Sequence, residues 1–293
     1  MDIDSAMAAI EEADGILTGP FRAPANLAAD SAGSIHDDKT AQGLGFRGGT
    51  VAGSVHMQQF PPMLVRMFGP EWFEHGTIST YFRNATMHGE RVRPFGRVPA
   101  ARTDALTTIW MEREDGSSVL EGTASIGTPN VPTCIEERLQ AVPDRGETRI
   151  LAHVEPGIVT DAVPARMPDP VRLERQIAAM TEPLDWYDGP SPWGGPIMNP
   201  GAAVGMFRAP EALFNLNREG IVGLFGAIEI RHLNGPILRD HQYDCRGELL
   251  AVGSTPKSEY IWYRSTLDEG GTDIAQMIMM LRFMKASSAH WSN

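Results

Sequence analysis

The alternation of apolar and polar positions divides the chain into two similar runs. In the first, Thr50 to Phe68 is apolar over much of its surface, with Val51, Val55, Met63, Leu64 and Met67 at buried helical positions. Pro61-Pro62 lies inside this stretch and is expected to kink or break the helix. Strand-like stretches follow at 77–85, 105–112 and 119–126, where β-branched and aromatic residues partly alternate with polar ones. Asp115-Gly116, between the last two, is a tight-hairpin signal. The second run predicts a helix over 201–217 and strands over 224–233, 248–252, 259–267 and 274–284, with Gly270-Gly271 as a turn.

Weak echoes in the sequence match this repetition. Gly48-Gly49-Thr50-Val51 recurs as Gly194-Gly195-Pro196-Ile197, Phe82-Arg83 as Ile230-Arg231, and Ile109-Trp110 as Ile261-Trp262, at offsets of 146, 148 and 152 residues. The shared order and slowly growing offset point to one module used twice. A helix followed by antiparallel strands that wrap it is an α+β pattern. The expected division is a first domain over 1–141, a Pro-containing linker over 142–167 and a second domain over 168–293. Residues 285–293 read as a surface tail.

Composition narrows the function classes. The 293 residues are 42% hydrophobic and 21% charged, ordinary values for a globular protein. No run approaches the roughly 20 apolar residues of a membrane span, so no membrane association is expected. The acidic start Met1-Asp2-Ile3-Asp4 lacks the features of a secretory signal, and two cysteines cannot build a disulfide framework. A cytoplasmic location is the expectation. A net charge of -12 argues against sequence-independent nucleic-acid binding. A phosphate-bearing ligand would need a local basic patch, and Arg83, Arg91, Arg93, Arg97 and Arg102 form one such concentration, or else a solvated strand-and-turn surface.

The segment from Asp30 to Gly53 carries the candidate chemistry. Asp38 can cap a short helix over 39–43, after which a Gly-rich loop enters the long helix. Backbone N–H groups at a helix start carry partial positive charge and suit a carbonyl oxygen that becomes negative during reaction. A nearby histidine can move a proton at the adjacent carbon.

Ile35-His36-x-Asp38, Ala41, then Gly45-Phe46-Arg47-Gly48 and a small-residue helix entry resemble the hydratase-2 motif of MaoC-like proteins. The resemblance implies a double hot-dog fold across the chain, in which two antiparallel sheets each wrap a long central helix. It also implies a lyase that adds water to, or removes it from, the double bond of an acyl thioester. Coenzyme A would be part of the substrate, with no other cofactor and no metal. Carried over by position, the catalytic histidine is His36, and the carbonyl-binding residue is Gly53, with Thr50 beside it. The family's catalytic Asp stands five residues before its His, where this chain has Ser31, with Asp30 one residue further away. Asp30 and Ser31 are therefore both candidates for the partner of His36. Gly33-Ser34 replaces the usual Asn-Pro, and Ala52 replaces the helix-entry His.

His56, Phe46 and Trp193 are the candidate pocket-lining residues, with a hydrogen-bonded core histidine the alternative at His56. The second run has no counterpart of His36. Its Asp185, Trp186, Tyr187 and Trp193 read either as aromatic packing over the junction or as a lid on an acyl chain. Hot-dog modules pair through their sheets, which permits a pseudo-dimer within the chain and a homodimer of whole chains. The alternatives to a hydratase are a repurposed hot-dog enzyme (cyclase, dehydratase or thioesterase) and a non-catalytic acyl-binding subunit. Metal, P-loop and serine-hydrolase signatures are absent from the sequence. Gly43 to Gly48 fits Gly-x-Gly-x-x-Gly, but no βαβ pattern surrounds it, which argues against nucleotide binding.

Overall fold

A computed structural model of the protein describes residues 1–216 and 219–291. Helix α1 (Ile3–Ala8) and the hairpin β1 (Glu11–Ala13) and β2 (Ile16–Thr18) come first. Four short helices follow: α2 (Asp38–Gly43), α3 (Gly53–Met57), α4 (Pro61–Phe68) and α5 (Trp72–His75). The first set of long strands is β3 (Gly76–Phe82), β4 (Val92–Arg97), β5 (Ala105–Arg113) and β6 (Ser118–Ile126). Helix α6 (Cys134–Gln140), the two-residue β7 (Val163–Pro164) and helix α7 (Pro170–Ala178) lead into the second run. That run contains α8 (Pro200–Phe207), β8 (Gly223–His232), β9 (Asp244–Ser254), β10 (Ser258–Glu269) and β11 (Thr272–Met284).

These strands form one antiparallel sheet in the order β1-β2-β4-β5-β6-β3-β8-β11-β10-β9-β7. The order is close to a palindrome about the β3–β8 pair, where Thr77 lies opposite Arg231 and Tyr81 opposite Ala227. The sequence echoes fall on equivalent elements. Phe82-Arg83 and Ile230-Arg231 lie on or next to the two central strands, and Ile109-Trp110 and Ile261-Trp262 lie on β5 and β10. On one face of the sheet, Met57, Phe60, Met63 and Leu64 pack with Ala203, Val204, Met206 and Phe207 of α8 in a shared apolar core. On the other, Ile135 of α6 joins Ala227, Tyr260, Trp262, Ile278 and Met280. Burying alternate residues of each strand on opposite faces is what the two-residue strand period requires.

Several expectations are corrected. The helix predicted from Thr50 to Phe68 is two helices, because Pro61 and Pro62 occupy the first positions of α4, where no N–H is needed. Thr50 lies in an isolated bridge with Met87 rather than in the helix. The predicted helix over 201–217 ends at Phe207 and continues as a 3₁₀ turn over Ala209–Phe214; Asn217 lies outside the described residues. The cap of α2 is Asp37, whose side chain accepts from Thr40 N, while Asp38 accepts instead from Gly49 N at 2.7 Å. Strand β4 is missing from the sequence reading because Pro94 and Gly96 interrupt its apolar pattern, although Val92, Pro94 and Phe95 are buried. The expected surface tail is anchored as far as it is described: the Trp291 indole donates to Glu259 at 2.6 Å, and Ser288 is buried. Ser292 and Asn293 lie outside the described residues.

Candidate active site

A cavity of about 780 Å³ opens where the loop before α3 meets the β3–β8 junction. Its walls come from both runs: His36, Phe46 and 50–53 with the end of β3 on one side, and Gly223–Phe225, Thr255–Ser258 and Leu281–Met284 on the other. Neither run closes the space alone.

His36 is held on three sides. Its backbone N–H donates to Ser34 Oγ at 3.1 Å, its carbonyl accepts from Asn26 Nδ2 at 2.8 Å, and its Nδ1 lies 2.7 Å from the Thr50 carbonyl. A carbonyl oxygen only accepts, so Nδ1 must carry the proton, and in the neutral ring Nε2 keeps its lone pair. Gly49 lets the two backbone segments pass closely, since a Cβ there would sit 2.1 Å from the His36 carbonyl oxygen. Thr50 N and Oγ1 both point at the Ile35 carbonyl, at 3.0 and 3.3 Å, so the Thr50 hydroxyl is already engaged.

Gly53 begins α3, and the first N–H groups of a helix have no intrahelical acceptor. The Phe82 ring lies against it, and a Cβ at Gly53 would come within 2.5 Å of Phe82 Cζ. One turn deeper, His56 is 3% exposed and its Nε2 lies 2.7 Å from Thr86 Oγ1. Its Nδ1 has no partner. Burial pushes its pKa down to about 4, so the ring is neutral at pH 7.

The lining contains no Asp or Glu among the described residues, in a protein whose net charge is -12. It does contain Arg83, Arg208, Lys257 and Arg282. Arg208 is neutralised by a two-bond pair with buried Glu211, at 2.7 and 2.9 Å. Arg282 instead donates to the Tyr81 hydroxyl at 2.7 Å, and Arg83 has only a 3.7 Å approach to Glu121. Arg282 and exposed Lys257 thus place positive charge on the cavity wall with no carboxylate partner among the described residues. Of the five arginines between 83 and 102, only Arg83 lines it. Arg91 pairs with Glu114 and stacks on Phe21, and Arg93 stacks on Phe21 and Phe95.

No family model and no curated protein matches the sequence. Solved structures do match in fold. A protein described as a MaoC-like dehydratase aligns with a TM-score of 0.51 at 11% identity, over 96% of this chain and 99% of its own. A conserved Mycobacterium tuberculosis protein, described as having a double hotdog fold, aligns with a TM-score of 0.58 at 10% identity, over 97% and 98% of the two chains. The fold is a double hot-dog. The dehydratase domain of PpsC from Mycobacterium tuberculosis, described in complex with C12:1-CoA, is also similar, with a TM-score of 0.50 at 10% identity over 94% of this chain and 96% of its own.

Within the double hot-dog, the expected site residues separate into two groups. His36, Phe46, Thr50, Gly53 and His56 all line the one cavity. Asp30 and Ser31 are exposed and lie outside its lining, in a turn where Ala32 N bonds to the Asp30 carbonyl and Ser34 N to that of Ser31. Trp193 is also elsewhere. Its ring packs edge-on against Phe73 and Trp186, and its indole donates to Glu74 at 2.8 Å, which is aromatic packing across the junction. Among the described residues the second run holds no equivalent site. Asn199 caps α8 and also accepts from Gln58 Nε2 at 2.8 Å, and that amide lies against Gly201 in the first turn of α8. Thr86, Tyr81, Lys257 and Arg282 escaped the sequence reading because nothing local marks them; the β3–β8 pairing brings them to the cavity. Among the described residues no cluster of His, Cys, Asp or Glu could hold a metal ion, and no helix is long and apolar enough to cross a membrane.

Proposed function

We propose that the protein is a hydro-lyase that reversibly hydrates or dehydrates an acyl thioester, with coenzyme A as the carrier. The observation that carries this reading is His36: its Nδ1 is committed to the Thr50 carbonyl, which leaves Nε2 as a base in the cavity that holds the start of α3. The thioester carbonyl would accept from the Gly53 N–H, which acidifies the neighbouring carbon, and His36 Nε2 would exchange a proton with that carbon. Val119, Phe225, Leu281 and Phe283 offer an apolar wall for the acyl chain. Arg282, Lys257 and Arg83 offer cations to the coenzyme A phosphates, and a similar structure is described with an acyl-CoA bound. Coenzyme A enters only as part of the substrate, and no metal is invoked.

Hydration of crotonyl-CoA and longer enoyl-CoA esters tests the reading. Turnover by the wild type and its loss in His36→Ala is the expected result. Undiminished turnover in that variant removes His36 from the mechanism.

A further inference from the structure

A dehydratase that works with one histidine needs something to hold the departing oxygen. Asp30 and Ser31 are outside the cavity, no carboxylate among the described residues lines it, and the Thr50 hydroxyl is spent on Ile35. Ser34, Tyr81, Asn84, Thr255 and Ser258 also bring polar groups to the lining, but His56 and Thr86 form a buried pair there, 2.7 Å apart. Both are at least 97% buried, by residue exposures of 3% and 0%, yet both line the cavity. They flank the same loop as His36: the Thr50 carbonyl holds His36 Nδ1, and the next residue, Val51, donates its N–H to the Thr86 carbonyl at 2.8 Å.

The tautomer of His56 decides which way the Thr86 hydroxyl faces. If Thr86 donated to Nε2, the proton of the neutral ring would sit on Nδ1, which has no acceptor. Nδ1 is unpartnered in either tautomer, and a buried N–H is orphaned more rarely than a buried acceptor. The favoured arrangement has Nε2–H donating to Thr86 Oγ1, which turns the hydroxyl hydrogen away from His56. A hydroxyl that accepts one hydrogen bond is polarised into a better donor for the next.

We infer that the His56–Thr86 pair recognises the β-oxygen of the substrate, with Thr86 Oγ–H donating to it, and that His36 alone carries the proton between Cα and that oxygen. This rests on the proposed hydro-lyase reading. In dehydration, His36 Nε2 takes the Cα proton, the C–H electron pair becomes the second bond of Cα=Cβ, and the Cβ–O bond breaks with its pair on oxygen. The same proton then passes from Nε2 to that oxygen, which leaves as water held by Thr86. His36 ends as it began. Thr86 touches substrate and is a catalytic residue in this step, while His56 acts through it as a positioning residue.

The test compares binding of 3-hydroxybutyryl-CoA with binding of butyryl-CoA, which lacks the β-oxygen, by calorimetry. Thr86→Val should lose about tenfold in affinity for the hydroxylated ligand alone. Thr86→Ser should retain it, as should His56→Gln, whose amide N–H can still donate to Thr86. Equal weakening for both ligands, or no change for either, overturns the inference. Because the comparison reads binding, a wild type that discriminates between the ligands without turning them over overturns the hydro-lyase reading while leaving the recognition role of Thr86 supported. A wild type that binds neither ligand overturns both.

Discussion

His36 Nδ1 stands 2.7 Å from the carbonyl oxygen of Thr50, three residues before the glycine that starts α3. One backbone segment therefore positions the candidate base and the candidate carbonyl donor together. His36→Gln can keep a donor toward Thr50 but supplies no base. Turnover should fall by about 10²- to 10⁴-fold, with KM and the melting temperature nearly unchanged. A steady-state assay beside a thermal melt checks this; a matched loss of stability would mean the contact is only structural.

Gly53 is in contact with the Phe82 ring, and a Cβ there would lie 2.5 Å from Cζ. Gly53→Ala should push the ring into the cavity, at a cost of about 1–3 kcal/mol in overpacking. KM should rise, and the second change Phe82→Ala should recover stability. Differential scanning calorimetry of the single and double variants separates the clash from any loss of carbonyl binding.

The cationic wall makes a different demand. Arg282→Ala should weaken acyl-CoA binding by about tenfold or more, as expected for a lost charge-assisted bond. The matching acyl-pantetheine thioester, which lacks the nucleotide phosphates, should bind both forms equally. Equal losses for the two ligands would place Arg282 against some other part of the molecule.

Burial lowers the pKa of His56 to about 4, and burial followed by the nearby His75 lowers that of His232 to about 4, from an ordinary 6.5. Both rings are neutral when folded and take up protons on unfolding below about pH 6.5. Their contribution is therefore complete above that pH and shrinks as the pH falls toward 4, by an order of 3 kcal/mol per ring. Urea midpoints should drop between pH 7 and pH 5, and His232→Phe should flatten the dependence.

Glu259 ties three segments together. Burial raises the carboxyl's pKa, but bonds from the backbone N–H groups of Arg149, Ile150 and Leu151 and from the Trp291 indole outweigh it and hold the pKa below the usual range. Glu259→Ala should cost about 3 kcal/mol or more, since it leaves several buried donors unpaired. Limited proteolysis near Arg145 and Arg149 should accelerate.

The parts of the fold legible in the sequence were those with local signals. Tandem order followed from the echoes at Phe82-Arg83 and Ile109-Trp110, and the helix break followed from Pro61-Pro62. His36, Gly53 and Phe46 were found because one contiguous motif holds them. Thr86, Tyr81 and Arg282 were not, since only strand pairing brings Arg282 to within 2.7 Å of a residue 201 positions away. From the sequence Trp193 reads either as junction packing or as pocket lining, and Phe73 and Glu74 claim its ring and its indole N–H for the junction. Asp37 and Asp38 show the same limit at short range: both can cap α2, and the bond from Gly49 N engages Asp38 in the loop.

The most direct test of the account is isotope incorporation from labelled water. Wild-type protein should place ¹⁸O from solvent on Cβ of an enoyl-CoA, as seen by mass spectrometry, and His36→Ala should not. Enoyl-CoA esters that bind yet gain no label at any chain length, or label gained equally by His36→Ala, would contradict it.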